Sequence, residues 1–210
     1  MALLKGWALN DMSPRYRLFR WAVRSLGVIL LGFEVHGEEK VPEKGSLVVA
    51  ANHRRFFDPV FVSMAVNRRL QWMAKKELFA FPFRRFFVFL GAFPVDRQGG
   101  GRTALRTALG FLAEGRALGI FPEGTRRKDG ISPEAKSGAA LLAARSGAPV
   151  LPVFADKIPS PAARLRGEKF HVHIGDPITI DNTNKGGEGY RRAADRILRT
   201  IYALAEERVS

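Results

Sequence analysis

The segment NHRRFFD, residues 52–58, contains a pair of side chains that could carry out proton transfer. His53 is one of only four histidines in the chain, and Asp58 follows it by five residues. A carboxylate that binds one imidazole nitrogen fixes the tautomer and raises the basicity of the other nitrogen. Such a pair can deprotonate an alcohol without a serine or cysteine nucleophile.

The spacing of this pair restricts how its two side chains can meet. Positions five apart on a regular helix point about 140° away from each other, so one helix cannot hold both. They can meet where an apolar strand, predicted over 46–52, ends near His53 and a helix begins at Asp58-Pro59. Asp58 is equally explained as an ordinary helix N-cap, so the spacing alone leaves both interpretations open.

Strand-like and helix-like segments alternate along the chain and must position this pair. The alternation predicts a single α/β domain, residues 34–210, with a mixed, mostly buried β-sheet flanked by helices and preceded by an amphipathic N-terminal helix, residues 1–33. Strands are predicted at 46–52, 70–75, 91–97, 149–155 and 169–180, a strand and turn at 117–124, and helices at 59–69, 102–115, 135–147 and 187–209.

The N-terminal segment combines a basic stripe with a wide apolar surface. Arg17, Arg20 and Arg24 fall at i, i+3 and i+7, and aromatic and aliphatic residues cover most of the remaining circumference. This pattern is typical of a helix that lies in a membrane interface. The alternative is a helix packed on the domain with a solvated arginine edge. The apolar run 25–33 is shorter than the ~20 residues of a transmembrane helix, and no signal-peptide cleavage site follows it.

The charge of the chain predicts a polyanionic partner. Thirty-four basic and twenty acidic residues leave a net charge of +14. Anionic membranes, phosphorylated metabolites, acidic carrier proteins and nucleic acids all fit this charge. No recognisable nucleic-acid module is present, so nucleic acid is not an expected partner. The absence of cysteine excludes disulfides and a thiol nucleophile.

Two further groups of residues allow more than one interpretation. Seven of the sixteen phenylalanines lie within 79–93, together with Arg84 and Arg85. They predict either an acyl-chain tunnel or membrane-dipping segment, or an ordinary aromatic core. His171 and His173 share one face of a predicted strand. Because they lack further ligand partners in the sequence, solvent-facing histidines are predicted there and no metal site.

Three more segments accompany the histidine motif. GAFPVDR contains Arg97, FPEGTR contains Glu123 and Arg126, and APVLPV spans 148–153. Together with NHRRFFD, in this order and separation, they resemble the sequence blocks of the glycerophosphate and lysophosphatidic acid acyltransferase family. The resemblance covers about residues 35–180.

The resemblance implies a role for each of these residues. His53 would be the general base that takes the proton from the acceptor hydroxyl, and Asp58 would orient it. The freed alkoxide would attack the thioester of acyl-CoA or acyl-carrier protein directly, so neither a metal nor a bound cofactor is expected. The implied substrate-binding residues are Asn52, which also holds the turn, Lys75, Arg97, Glu123, Gly124, Thr125 and Arg126.

The implied reaction is acylation of the sn-2 hydroxyl of 1-acylglycerol 3-phosphate (lysophosphatidic acid) to phosphatidic acid. A peripheral protein on the cytoplasmic face of the cell membrane, bound to an anionic surface, is expected. Acylation of glycerol 3-phosphate or another lysolipid is the alternative within the class, and a noncatalytic phospholipid-binding module is the alternative outside it. Arg54 and Arg55 depart from the smaller polar residues frequent in the family, which leaves the acceptor head group open.

Overall fold

The computed structural model of the chain describes residues 12–95, 101–124, 135–181 and 186–206. Within these residues, strands and helices alternate as the sequence predicts. The strands are β1 (Glu34–His36), β2 (Leu47–Ala51), β3 (Leu70–Lys75), β4 (Ala92–Val95), β5 (Ala117–Ile120), β6 (Val150–Ala155) and β7 (His171–Ile174). The helices are α1 (Pro14–Leu31), α2 (Asp58–Ala65), α3 (Arg84–Phe89), α4 (Arg102–Ala113), α5 (Gly138–Ser146), α6 (Pro161–Leu165) and α7 (Gly187–Glu206).

The seven strands form one sheet in the order β1-β7-β6-β2-β5-β3-β4. Strands β6 and β7 pair antiparallel, whereas all other neighbours in the sheet pair parallel. The sheet is therefore mixed and flanked by helices, which confirms the predicted fold class.

The parallel strands define one functional edge of the sheet. Because β2, β3, β4, β5 and β6 run in the same direction, their carboxyl ends lie along the same edge, which we call the carboxyl edge. Strand β7 runs the opposite way and β1 runs with β7, so their first residues, His171 and Glu34, also lie at this edge. Residues that follow the parallel strands can therefore converge there.

The sheet is covered on both faces, which explains the continuous apolar sequence of its central strand β2. All five residues of β2 are buried. Val48 and Ala50 join the core formed with helices α4, α5 and α7, whereas Val49 joins the core on the opposite face, with α2 and Phe33. Strands buried on both faces are expected to lack an alternating polar pattern.

Helix α1 docks on the domain through both apolar and charged side chains. Tyr16 is 1% exposed, and Phe19, Val23 and Leu31 pack against the core. The Arg24 guanidinium donates two hydrogen bonds of 2.8 Å to the Glu38 carboxylate. Arg20 donates to the side chain of Asn67 at 2.8 Å and to the backbone carbonyl of Met64 at 2.9 Å. The helix is therefore packed on the domain, as the alternative states, but the solvated arginine edge is wrong for these two arginines, because both bind the domain.

The opposite side of α1 presents large apolar side chains to the surroundings. Trp21 is 67% exposed and Ile29 is 72% exposed. No helix of the described residues is long and apolar enough to cross a membrane. The other large apolar residues exposed on this helix are Leu18, Leu26, Val28 and Leu30.

The phenylalanine-rich segment is buried in one part and exposed in another. Phe93 is buried in β4 and packs edge-on against Phe111 of α4, with ring centroids 5.0 Å apart. In contrast, Phe81, Phe83 and Phe86, around the start of α3, are all exposed. The segment is thus part core and part exposed aromatic surface.

Candidate active site

The carboxyl edge brings together the described site residues that follow different strands. Asn52 and His53 directly follow β2, and Glu123 lies three residues beyond the end of β5. Lys75 is the exposed last residue of β3. The other predicted site residues, Arg97, Thr125 and Arg126, lie outside the described residues.

His53 and Asp58 meet at the junction between β2 and α2. The His53 Nδ1 atom lies 3.1 Å from the Asp58 Oδ2 atom. Asp58 is 3% exposed and is the first residue of α2, while Phe57 occupies the N-cap position. The N-cap interpretation of Asp58 is therefore wrong, because its carboxylate points back to the turn rather than forward along the helix.

The turn between the two residues is built around the Asp58 carboxylate. The backbone amides of Arg54 and Arg55 each donate a 2.6 Å hydrogen bond to Asp58 Oδ2, the same oxygen that contacts His53. The start of a helix also favours a negative charge at this position. With Asp58 accepting from Nδ1–H, the Nε2 atom of His53 carries the lone pair and can accept a proton.

A stack of aromatic rings holds the imidazole in place. The His53 ring lies on the Phe121 ring with centroids 3.9 Å apart and planes 12° apart. Phe121 in turn stacks on Trp72 at 4.9 Å. The Trp72 indole N–H donates a 2.9 Å hydrogen bond to the hydroxyl of Ser63, on the same helix as Asp58. The stack thus fixes the base and its carboxylate relative to one another.

Gly119 is needed for this stack because Trp72 occupies the space of its side chain. A Cβ atom at Gly119 would lie 2.6 Å from three atoms of the Trp72 ring. Sequence reasoning missed this requirement, since Gly119 sits inside a strand without any turn signal. A glycine inside a strand often marks such a close approach.

The Glu123 carboxylate binds the backbone of the turn at His53. Its Oε1 atom accepts hydrogen bonds from the His53 backbone amide at 3.2 Å and from the Tyr202 hydroxyl at 2.9 Å. Glu123 is 2% exposed. These contacts favour a positioning role over the predicted substrate contact, since a buried carboxylate repels a phosphate. Sequence reasoning missed Tyr202, whose only signal was its place in the amphipathic helix α7.

Two further predicted substrate-binding residues have structural contacts. The Asn52 side chain is 1% exposed, donates to the Ala155 carbonyl at 2.9 Å and accepts from the Ala155 amide at 2.7 Å. It therefore extends the pairing of β2 with β6 beyond the ladder. Gly124 has φ of +71° and closes a turn by donating its amide to the Phe121 carbonyl at 3.0 Å. This left-handed conformation favours glycine.

Cationic and aromatic side chains surround the pair. The Arg54 guanidinium lies 5.4 Å from the centroid of the Phe154 ring, which gives this arginine a cation–π partner on β6. Phe56 and Phe57, between the arginines and Asp58, are 51% and 61% exposed. A basic imidazole bordered by positive charge and apolar rings suits an acceptor that carries both a phosphate and an acyl chain.

Comparison with known proteins identifies the family. The family model described as Acyltransferase matches residues 32–156. Over 201 residues the chain is 30% identical to a 1-acyl-sn-glycerol-3-phosphate acyltransferase of Streptococcus pneumoniae, covering 91% of this chain and 75% of the relative. It is also 30% identical over 166 residues to a Bacillus subtilis protein of the same description, covering 77% and 82% of the two chains.

A solved structure shares the fold. The crystal structure of the 1-acyl-sn-glycerophosphate (LPA) acyltransferase PlsC from Thermotoga maritima superposes with a TM-score of 0.63. It covers 95% of this chain and 85% of the other, at 23% sequence identity. This similarity supports the architecture of the sheet and helices described above.

Proposed function

The chain belongs to the acyltransferase family, and on that premise we propose that it acylates the sn-2 hydroxyl of 1-acylglycerol 3-phosphate. The acyl donor is acyl-CoA or acyl-carrier protein, and the product is phosphatidic acid. The observation that carries the proposal is the 3.1 Å contact between His53 and Asp58 at the end of β2. The names of the relatives from Streptococcus pneumoniae and Bacillus subtilis support the choice of acceptor.

The reaction uses the free nitrogen of His53. Nε2 takes the proton of the acceptor hydroxyl while that oxygen attacks the thioester carbonyl of the donor. Collapse of the tetrahedral intermediate breaks the carbon–sulfur bond, and the departing thiolate takes the proton from the imidazolium. Asp58 stabilises the transient imidazolium, and its two amide hydrogen bonds keep it in place throughout. No acyl-enzyme intermediate is formed.

The phosphate of the acceptor binds beside this base. We assign it to Arg97, Thr125 and Arg126, with Lys75 as a further contact at the end of β3. Arginine suits this role because its planar guanidinium matches two phosphate oxygens at once. Val95 and Gly124, the last described residues before these segments, end at the same carboxyl edge as His53, which supports the assignment.

The substrate reaches the site from an anionic membrane on whose cytoplasmic face the protein lies peripherally. The exposed apolar side of α1 supports this location, because soluble domains rarely leave such a surface uncovered. The net charge of +14 adds attraction to anionic lipids.

The test is product analysis by mass spectrometry. Purified protein is offered several lysolipids and glycerol 3-phosphate, each with acyl-CoA or acyl-carrier protein. We expect phosphatidic acid from 1-acylglycerol 3-phosphate as the main product. A preference for glycerol 3-phosphate would change the acceptor but keep the chemistry, whereas binding of anionic vesicles without turnover would indicate a noncatalytic lipid-binding module.

Substitutions then test the base. His53→Ala and Asp58→Asn should each lower kcat by about 100-fold to 10,000-fold, the range of general base catalysis. The matched control is Asp176→Asn, which alters an exposed carboxylate bound to Lys40 and should leave kcat unchanged. Turnover by His53→Ala at the rate of the native protein would disprove the general-base assignment.

A further inference from the structure

Three of the four histidines lie on β1 and β7, the last two strands on one side of the sheet. Strand β7 is two positions from β2, the strand that His53 follows. Strands β1 and β7 pair so that Glu34 lies beside His171 and His36 lies beside His173. Alternate residues of a strand point to the same face, so these four side chains form a two-by-two array on one face. Strand β1 thus supplies the partners that the sequence does not show for His171 and His173.

The distances in this array fit a metal site. The His36 Nε2 atom lies 3.0 Å from the His171 Nδ1 atom, and His171 Nδ1 lies 3.5 Å from Glu34 Oε2. One ligand atom from each of the three residues lies within 4.8 Å of the others. In a tetrahedral zinc site with bonds of about 2.0–2.1 Å, ligand atoms lie about 3.3 Å apart. The contacts of 3.0 Å and 3.5 Å lie on either side of this ligand separation.

We infer that Glu34, His36 and His171 form a binding site for a transition-metal cation of the zinc type. Two imidazoles and one carboxylate are a ligand set that zinc accepts, with water in the fourth position. The acyl transfer proposed above does not use this site, since strand β6 lies between β7 and β2 and the mechanism at His53 needs no metal.

The neighbouring side chains prepare the ligands for a cation. Lys169 binds the Oε1 atom of Glu34, which leaves Oε2 directed to His171. The His173 ring stacks on the His36 ring, with centroids 4.8 Å and planes 12° apart. Ligands that are held in place before binding lose less freedom on metal uptake.

A bound cation would fasten the edge of the sheet to which α1 is attached. Strand β1 has only three residues and pairs with one neighbour, β7. Only two residues separate Leu31, the end of α1, from Glu34, the start of β1. A metal joining Glu34 and His36 to His171 would therefore link this short strand to the rest of the sheet, and binding to the folded state alone would stabilise the protein.

The experiment is a zinc titration of the full chain without a histidine tag, after treatment with a chelator. Calorimetry should show a single equivalent of zinc bound per chain, and cobalt should give the intense visible absorption of tetrahedral coordination. His36→Ala and His171→Ala should weaken zinc binding by about 100-fold, and the isosteric Glu34→Gln by about 10-fold. Circular dichroism of each variant checks that it remains folded.

The control is His53→Ala, which removes the one imidazole outside the histidine cluster of β1 and β7 and should bind zinc as tightly as the native chain. Because this readout is metal binding, it is independent of whether the proposed acyl transfer is correct. Loss of zinc binding in His53→Ala, with retention in His171→Ala, would move the metal to the catalytic pair and overturn the proposal. Absence of saturable zinc binding at micromolar concentrations would also overturn it.

Discussion

Helices α1 and α7, of 18 and 20 residues, lie on the same domain but differ in how much of their apolar surface they bury. Helix α7 packs its apolar side onto the sheet, and Ile197 and Ile201 are fully buried. Helix α1 docks through Arg20, Arg24 and the buried ring of Tyr16, and it leaves Ile29 72% exposed. A helix with apolar residues around most of its circumference can thus pack one side on the protein and leave a second apolar side uncovered.

The difference follows from what each helix finds on the domain. Helix α7 lies over an apolar core, so burial of its isoleucines is favourable. Helix α1 packs only part of its apolar surface on the domain, and beside it the Glu38 carboxylate, the Asn67 side chain and the Met64 carbonyl bind its guanidinium groups. Its outward apolar face then requires a second apolar phase, which the proposed membrane supplies.

The largest expected effect contrasts isoleucines on the two helices. Ile201→Ala should lower the free energy of unfolding by about 2–5 kcal/mol, because it leaves a cavity in the core. Ile29→Ala should change it by no more than about 0.5 kcal/mol, as for surface substitutions. Urea unfolding without lipid measures both. Equal losses for the two variants would show that α1 packs as α7 does.

A smaller effect is expected from removing one hydroxyl on each helix. Tyr202→Phe removes a hydrogen bond to the buried Glu123 and should cost about 1–3 kcal/mol of stability. It should also lower kcat, since Glu123 holds the backbone of His53. Tyr16→Phe, on α1, is the matched control, and its kcat should equal that of the native enzyme. Steady-state kinetics measures kcat for both variants. Raising the substrate concentration should not restore the rate of Tyr202→Phe.

Membrane binding should depend on α1 and not on α7. Replacing the exposed Trp21 or Ile29 with serine should weaken binding to anionic vesicles by about 10-fold each. The reason is the lost free energy of moving part of a large apolar side chain into lipid. Ala203→Ser alters the exposed side of α7 and should have no effect. Vesicle sedimentation measures the change, and unaltered binding by the Trp21 and Ile29 variants would disprove the interfacial role of α1.

The smallest effect concerns pH. The hydrogen bond from Arg24 lowers the pKa of Glu38. Its pKa in the folded protein is therefore below that of the unfolded chain, so the contact stabilises α1 docking above pH ~4.3 and is lost as the pH falls through the folded value. Amide hydrogen exchange of α1, corrected for intrinsic rates, should therefore accelerate as the pH falls through the folded pKa of Glu38. Glu38→Gln should abolish this acid dependence.

Much of the fold could be predicted because it follows local patterns. Strand β3 has the predicted bounds of 70–75, helix α2 begins one residue before its predicted start, and β7 covers four of the residues predicted as strand over 169–180. The predicted family is confirmed, because its blocks are local sequence features. Strand β1 and helices α3 and α6 were not predicted, since three to six residues are too few to show a period.

The contacts of the site were harder to predict from the sequence because they join residues that are far apart in the chain. Tyr202 and Glu123 are 79 positions apart, and Asn52 and Ala155 are 103 apart. The predicted substrate roles of Asn52 and Glu123 rested on position in a motif, whereas their described partners come from other strands and helices. The side chains of Arg97, Thr125 and Arg126 lie outside the described residues, and their roles stay predictions.

The turn that holds Asp58 has a consequence for how such an enzyme can diverge. Arg54 and Arg55 contribute backbone amides to the carboxylate, and every residue except proline supplies that donor. Their side chains are therefore free to be exchanged without moving the base. Substitutions other than proline at these two positions should therefore leave the contact between His53 and Asp58 in place.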